Sequence, residues 1–185
     1  MNKKRLILVG KAASGKDHAR KICEQWLGMK YAVSYTTRPP REDEQEGKDY
    51  FFIPIREFNK MINEDKWYEY IEFNGWMYGT TREQMKTPGQ VFIMTPKGLS
   101  HLTPEDRKES LVIHFEIDEE IRRSRMYGRA GNADSVERRV KADRVDFADY
   151  TDYDVMIADP YFKIGDIAEI IRKGMSTKLV NNVKY

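Results

Sequence analysis

An apolar run that ends in a glycine-bounded, lysine-terminated loop restricts a chain to few folds. Leu6-Ile7-Leu8-Val9-Gly10-Lys11-Ala12-Ala13-Ser14-Gly15-Lys16 is such a run. The spacing Gly-x-x-x-x-Gly-Lys reads as a strand feeding a loop that cradles phosphate. Its glycines let the backbone turn tightly and aim N–H groups inward, Lys16 reaches terminal phosphates, and the next helix adds its positive N-terminal end. A nucleotide is therefore the first ligand to expect. One position departs from the pattern: the residue after the lysine, where a Ser or Thr hydroxyl ligates magnesium, is Asp17.

The rest of the chain alternates short β-branched runs with helical stretches. Leu6 to Val9, Gln90 to Met94, Leu111 to Ile117 and Val155 to Ile157 read as buried strands, and their spacing predicts a parallel sheet. Helices are expected over Lys16 to Leu27, Lys97 to Leu102, Glu119 to Met126, Ser135 to Phe147 and Gly165 to Lys173. An α/β core of three layers follows. Residues 31 to 81 break this rhythm, with aromatic residues alternating in Asp49-Tyr50-Phe51-Phe52-Ile53 and in Trp67-Tyr68-Glu69-Tyr70-Ile71-Glu72-Phe73. They predict strands of a small, largely antiparallel insertion, with a hairpin at Asn74-Gly75 and a polar, turn-rich loop from Pro39 to Asp49. The tail from Ser176 to Tyr185 is weakly patterned and reads as a short strand or a disordered end.

Composition narrows the partners. At 185 residues with 40% hydrophobic content the chain can bury a core. Lys plus Arg (32) nearly balance Asp plus Glu (30), so the net charge of +2 gives no general reason to expect nucleic acid or membrane as a partner. The lone cysteine, Cys23, has no internal disulfide partner and falls on the apolar side of the first helix. Met1 to Arg5 is basic, but the apolar stretch behind it stops at Val9, so no export signal is expected. No run of about 18 apolar residues occurs, and a cytoplasmic location is the default expectation. No zinc-ligand spacing and no Ser-His-Asp or Cys-His order stands out. His114 is expected in a core or edge strand, His101 at the end of a short helix.

A second constellation, Ser34-Tyr35-Thr36-Thr37-Arg38-Pro39-Pro40-Arg41 followed by Gly47-Lys48-Asp49-Tyr50-Phe51-Phe52, resembles the guanylate kinase family. The resemblance runs on through Glu69, Gly75 and Tyr78-Gly79-Thr80 into an arginine-rich stretch, covering roughly residues 5 to 160 in order. It implies an α/β fold of P-loop NTPase type: a three-layer parallel-sheet core over 1–33 and 82–185, a mostly antiparallel insertion over 34–81 that holds a nucleoside monophosphate, and a helical lid over about 126–138. It further implies ATP and magnesium at Gly10, Ala12, Ala13, Ser14, Gly15, Lys16, Asp17, His18 and Arg125; Asp17, where the loop pattern has a hydroxyl, reads as a variant metal partner because a carboxylate is a good magnesium ligand. GMP or dGMP would lie at Ser34, Arg38, Arg41, Tyr50, Glu69, Tyr78, Thr80 and Thr95.

Elementary chemistry gives these residues the same roles. Arg38 and Arg41, three apart at a turn, form a fork for a dianionic phosphate, and Tyr50 and Tyr78 add neutral donors. The two oxygens of Glu69 match guanine N1–H and its exocyclic amino group, while adenine offers a bare acceptor at N1. Thr80 is placed to donate to guanine O6. After the strand Val91-Phe92-Ile93-Met94 the family carries acidic residues near the base, and this chain has Thr95-Pro96-Lys97-Gly98 instead, leaving Thr95 to serve through water. Glu44 and Asp49 are available to place magnesium or to answer Lys16.

Arg122 to Arg139 reads as a helix, a break containing Gly128, Gly131 and Asn132, and a second helix started by Asp134 or Ser135. The resemblance makes this break the lid, with Arg125, Arg129 and Arg139 reaching the phosphates. Arg122, Arg123 and Arg138 read as members of a salt-bridged amphipathic helix pair. Phosphoryl transfer needs chiefly positioning and positive charge, so Lys16, Arg38, Arg129 and Arg139 are the expected catalytic groups. Two other readings stay open at this point: a guanylate kinase-like protein-binding module without catalysis, and a kinase of the same fold for another nucleotide. The chain is expected to act as a monomer or a homodimer.

Overall fold

The computed structural model describes residues 3–73, 75–128, 135–176 and 183–184. Strand β1 (Arg5–Gly10) is buried at every position, as a strand covered on both faces must be. It lies inside a six-stranded sheet with β2 (Lys30–Tyr31), β7 (Gln90–Met94), β8 (Ser110–Phe115), β9 (Val155–Ile157) and β10 (Val183–Lys184). The order is β10-β9-β8-β1-β7-β2, and all pairings are parallel. Helices α1 (Lys16–Leu27) and α8 (Ile164–Ser176) cover one face. There Leu6 and Leu8 pack with Ile22, Cys23, Ile113, Phe115 and Ile171. Ile7 and Val9 point to the other face and pack with Phe92, Met94, Leu99 and Val112. The alternation along β1 thus builds two cores, giving the three layers expected.

The second sheet has four strands in the order β4 (Phe51–Phe52), β3 (Tyr35–Thr36), β6 (Trp76–Thr81), β5 (Trp67–Phe73). Its β3–β6 and β5–β6 pairs are antiparallel, whereas β3–β4 is parallel. Phe73 faces Trp76 across the expected hairpin, where Gly75 takes φ 77° and Asn74 lies outside the described residues. This region is not made of strands alone. Helix α2 (Ile55–Asn63) lies between β4 and β5, and its Phe58 and Met61 join Trp67 in a small core. The aromatic alternation on either side masks the i, i+3, i+4 spacing of Phe58, Met61 and Ile62.

Several other elements differ from expectation. The strand expected through Ile117 stops at Phe115, and the helix expected at Lys97 to Leu102 is α4 (Pro96–Leu99). Short helices α3 (Arg82–Lys86) and α5 (Pro104–Lys108) were not foreseen. Helices α6 (Glu119–Tyr127) and α7 (Val136–Asp146) stand close to their expected bounds, with Ser135 capping α7 by accepting from Arg138 N–H. Arg129, Gly131, Asn132 and Asp134 lie outside the described residues. His114 is buried in β8 among Phe147, Tyr150 and Tyr153, and burial pushes it down to about 4, so it is a neutral core group. Cys23 is buried, and its thiol is pushed up to about 12, chiefly by desolvation. Among the described residues no helix is long and apolar enough to cross a membrane.

Candidate active site

The C-terminal end of β1 opens into a cavity of about 1280 Å³ that runs to the second sheet. At the β1 end the loop from Gly10 to Lys16 turns through Ala13 at φ 59° and Gly15 at φ 102°. Such left-handed positions direct backbone N–H groups inward, forming a nest for an anion at the start of α1. Lys16 Nζ is folded onto its own loop, donating to the Gly10 carbonyl at 2.5 Å and the Lys11 carbonyl at 2.9 Å. Gly10, Ala12, Ala13, Lys16 and Asp17 line the cavity, and Asp17 is exposed in the first turn of α1. Ser14 is buried beneath the loop, against Gly10. His18 faces solvent beside the ring of Phe162, away from the cavity lining.

The opposite wall carries Ser34, Arg38, Arg41, Tyr50, Tyr78 and Glu69. Arg38 lies over the rings of Tyr50 and Phe52, at 5.5 and 5.8 Å from their centroids. Its Nη2 donates to both oxygens of Glu44, at 2.7 and 2.8 Å. Glu44 also accepts from the Arg41 N–H at 2.9 Å and from Arg41 Nη1 at 3.4 Å. The carboxylate of Glu44 is therefore held between the two arginines and is not turned toward Lys16. Burial and the neighbouring Tyr78 push the Tyr50 phenol well up, so it remains a neutral donor. Nothing in its place within an acidic loop distinguishes Glu44 from the solvated Glu42 and Asp43; only the folded turn brings it onto both arginines.

Glu69 reaches the cavity from β5 and is 7% exposed. Desolvation raises its carboxyl to about 7 against a hydrogen bond from the Thr80 side chain that lowers it. Thr80 is buried beside Glu69 and engaged with it, so its hydroxyl donates within the protein and does not line the cavity. Thr95 and Gly98 form the floor nearby. Thr95 caps α4, its Oγ1 accepting from Gly98 N–H at 3.1 Å.

Between the two walls α7 contributes Arg139, Asp143 and Asp146 to the lining. Arg125 does not reach this cavity. It donates from Nη1 to the Ala13 carbonyl at 3.1 Å and from Nη2 to the Pro160 carbonyl at 2.5 Å. The expectation of a solvated, salt-bridged helix pair holds for Arg123, which bonds Glu119 and Glu137. It fails for Arg122, which is 2% exposed and paired with Asp143 at 3.0 Å. Among the described residues no group of three or more His, Cys, Asp or Glu is arranged to hold a metal ion. Asp17 offers an exposed carboxylate next to Lys16 in the chain, on the same cavity. Magnesium keeps several waters and binds through one or two carboxylates plus phosphate oxygens, so a single carboxylate at that point fits it.

Comparisons with known proteins bear on the family and the fold. The family model described as guanylate kinase matches residues 2–173. A guanylate kinase of Geobacter sulfurreducens is 34% identical, covering 84% of this chain and 80% of the relative. One from Fusobacterium nucleatum is 28% identical over 91% of this chain and 96% of its own length. A solved guanylate kinase from Anaplasma phagocytophilum shares the fold with a TM-score of 0.72 at 22% identity, covering 96% of this chain and 89% of that one.

Proposed function

The chain belongs to the guanylate kinase family and is an ATP-dependent nucleoside monophosphate kinase, and we propose that it moves the terminal phosphoryl of ATP onto GMP or dGMP. One observation carries the reading. A single cavity has the phosphate loop with Lys16 on one wall, and Arg38, Arg41, Tyr50, Tyr78 and Glu69 on the other.

ATP lies with its phosphates in the N–H nest, and Lys16 leaves its loop carbonyls for the β and γ phosphates. Arg38 and Arg41 fork the acceptor phosphate, held by Glu44, and the two tyrosines donate neutral hydrogen bonds that fix its orientation. Glu69, ionised, accepts from guanine N1–H and its amino group. An oxygen of the acceptor phosphate then attacks the γ phosphorus in line. The bond to the β–γ bridging oxygen breaks, and ADP leaves with the electron pair. The attacking oxygen is already an anion, so no general base is required. Arg139, with Arg129 from the proposed lid over about 126–138, adds positive charge to the migrating phosphoryl and excludes water from it. Asp17 would hold a magnesium ion together with the ATP phosphates, and that ion would supply neutralisation of the donor charge.

Lys16→Ala should lower kcat by about 100-fold or more while leaving the circular dichroism spectrum unchanged. Near-normal turnover in that variant contradicts the assignment of the loop. Arg41→Ala should raise the KM for GMP about tenfold with the KM for ATP nearly constant. Equal rises in both would remove the clamp from the mechanism.

A further inference from the structure

Beneath the phosphate loop, with Asp143 at the edge of the cavity, the chain buries an ion pair that the transfer chemistry does not use. Arg122 of α6 donates from Nε to the Ile117 carbonyl at 3.0 Å. Its Nη1 donates to Asp143 Oδ2 at 3.0 Å and to the Ala12 carbonyl at 3.3 Å. Asp143 of α7 is similarly enclosed, and the same Oδ2 accepts from Ala12 N–H at 2.9 Å. Both backbone polar groups of Ala12 therefore end on one buried pair, drawn from two different helices.

The next residue shows what this achieves. Ala13 stands at φ 59°, a left-handed backbone that is unfavourable for a residue with a Cβ. Its carbonyl is held in turn by Arg125, one helical turn along from Arg122. Ala12 and Ala13 also pack on Met126, Val136 and Val140. Carbonyls fixed outward on arginines leave the N–H groups that follow turned into the loop, the arrangement a phosphate needs. Stability alone is a weak reason for such a pair, because apolar residues of similar volume often stabilise as well. They cannot reproduce the hydrogen bonds to Ala12.

We propose that Arg122 and Asp143 are positioning residues for the donor phosphates, fixing Ala12 and through it the left-handed Ala13 so that the loop is aligned before ATP arrives. The proposal rests on the reading of Gly10 to Lys16 as the donor loop. It is tested with two variants, Arg122→Met/Asp143→Leu and Arg122→Lys. Affinity for ATP with magnesium is measured by calorimetry without acceptor, together with kcat and both KM values. The apolar pair should fold with a Tm close to the parent yet bind ATP about tenfold more weakly, with the KM for GMP changed less than about twofold. Arg122→Lys keeps the charge but has no fork with which to reach Ile117, Ala12 and Asp143 together, and its ATP affinity should fall between the two. A purely structural pair would instead give ATP binding that follows Tm. ATP affinity within about twofold of the parent in the folded apolar pair overturns the proposal. Lys16→Ala, measured alongside, separates the two failures. If it too binds and turns over ATP normally, the donor-loop reading has failed; if it is inactive while the pair variants bind normally, only the positioning role falls.

Discussion

Glu69 is a carboxylate in a desolvated pocket, with its carboxyl raised to about 7, and under the proposed base contact acceptor binding takes a pH dependence within the neutral range. Ionised, it would accept two guanine hydrogens; protonated, it would present a donor to a donor. The KM for GMP should therefore rise about tenfold or more as pH falls from 8 to 6, and Glu69→Gln should leave only the smaller dependence set by the substrate phosphate, which ionises near about 6. The variant separates titration of Glu69 from titration of the substrate phosphate. A KM that is flat across this range in the parent, or a dependence that survives undiminished in Glu69→Gln, contradicts the assignment. Glu69 was legible in the sequence because its two oxygens match one base edge and its neighbours follow a spaced pattern. Its low solvation was not legible, since that comes from Thr80 paired opposite it in β6 and from Gly98 of α4 lying against its carboxylate. Arg122 and Asp143 show the converse. A charge in the middle of a polar helix reads as solvated, and only the packing of α6 and α7 onto Ala12 reveals a buried pair.

Among the elements, the long helices and the central strands were readable because each carries enough residues to display a period. The two-residue strands β2, β3 and β4 are too short to show one, and α3 and α5 span five residues each. Their signals are local instead. Pro104 at the first turn of α5 follows Thr103, whose side chain accepts from Asp106 N–H. At α3, Thr81 and Gln84 form a reciprocal capping box, and Gln84 Nε2 donates to the Val33 carbonyl at 2.7 Å. That joins the end of the second sheet to the chain entering it. Thr81→Ala should destabilise the protein by about 1 kcal/mol, read as a fall in Tm of roughly 2–4 °C. An unchanged Tm would mean that the cap contributes nothing to this junction.

At the scale of the whole molecule, two sheets of different construction face one cavity. The parallel sheet ends in the Gly10–Lys16 loop, and the smaller sheet with its β3–β4 loop presents arginines, tyrosines and one desolvated carboxylate. At about 1280 Å³ the cavity exceeds the roughly 300–1,000 Å³ usual for one small ligand, in keeping with two nucleotides meeting end to end. Ordered motifs along the chain made both walls legible as sequence. Their union in one cavity is a product of topology, because β1 and β7 bring residues far apart in the chain to the same sheet end. The central claim is that this cavity joins ATP to a guanine monophosphate. Its most direct test is ADP formation from ATP and magnesium with GMP, dGMP, AMP, CMP and dTMP offered separately at equal concentration. Turnover confined to GMP and dGMP is the predicted result; turnover that favours another base, or none with any acceptor, would contradict it.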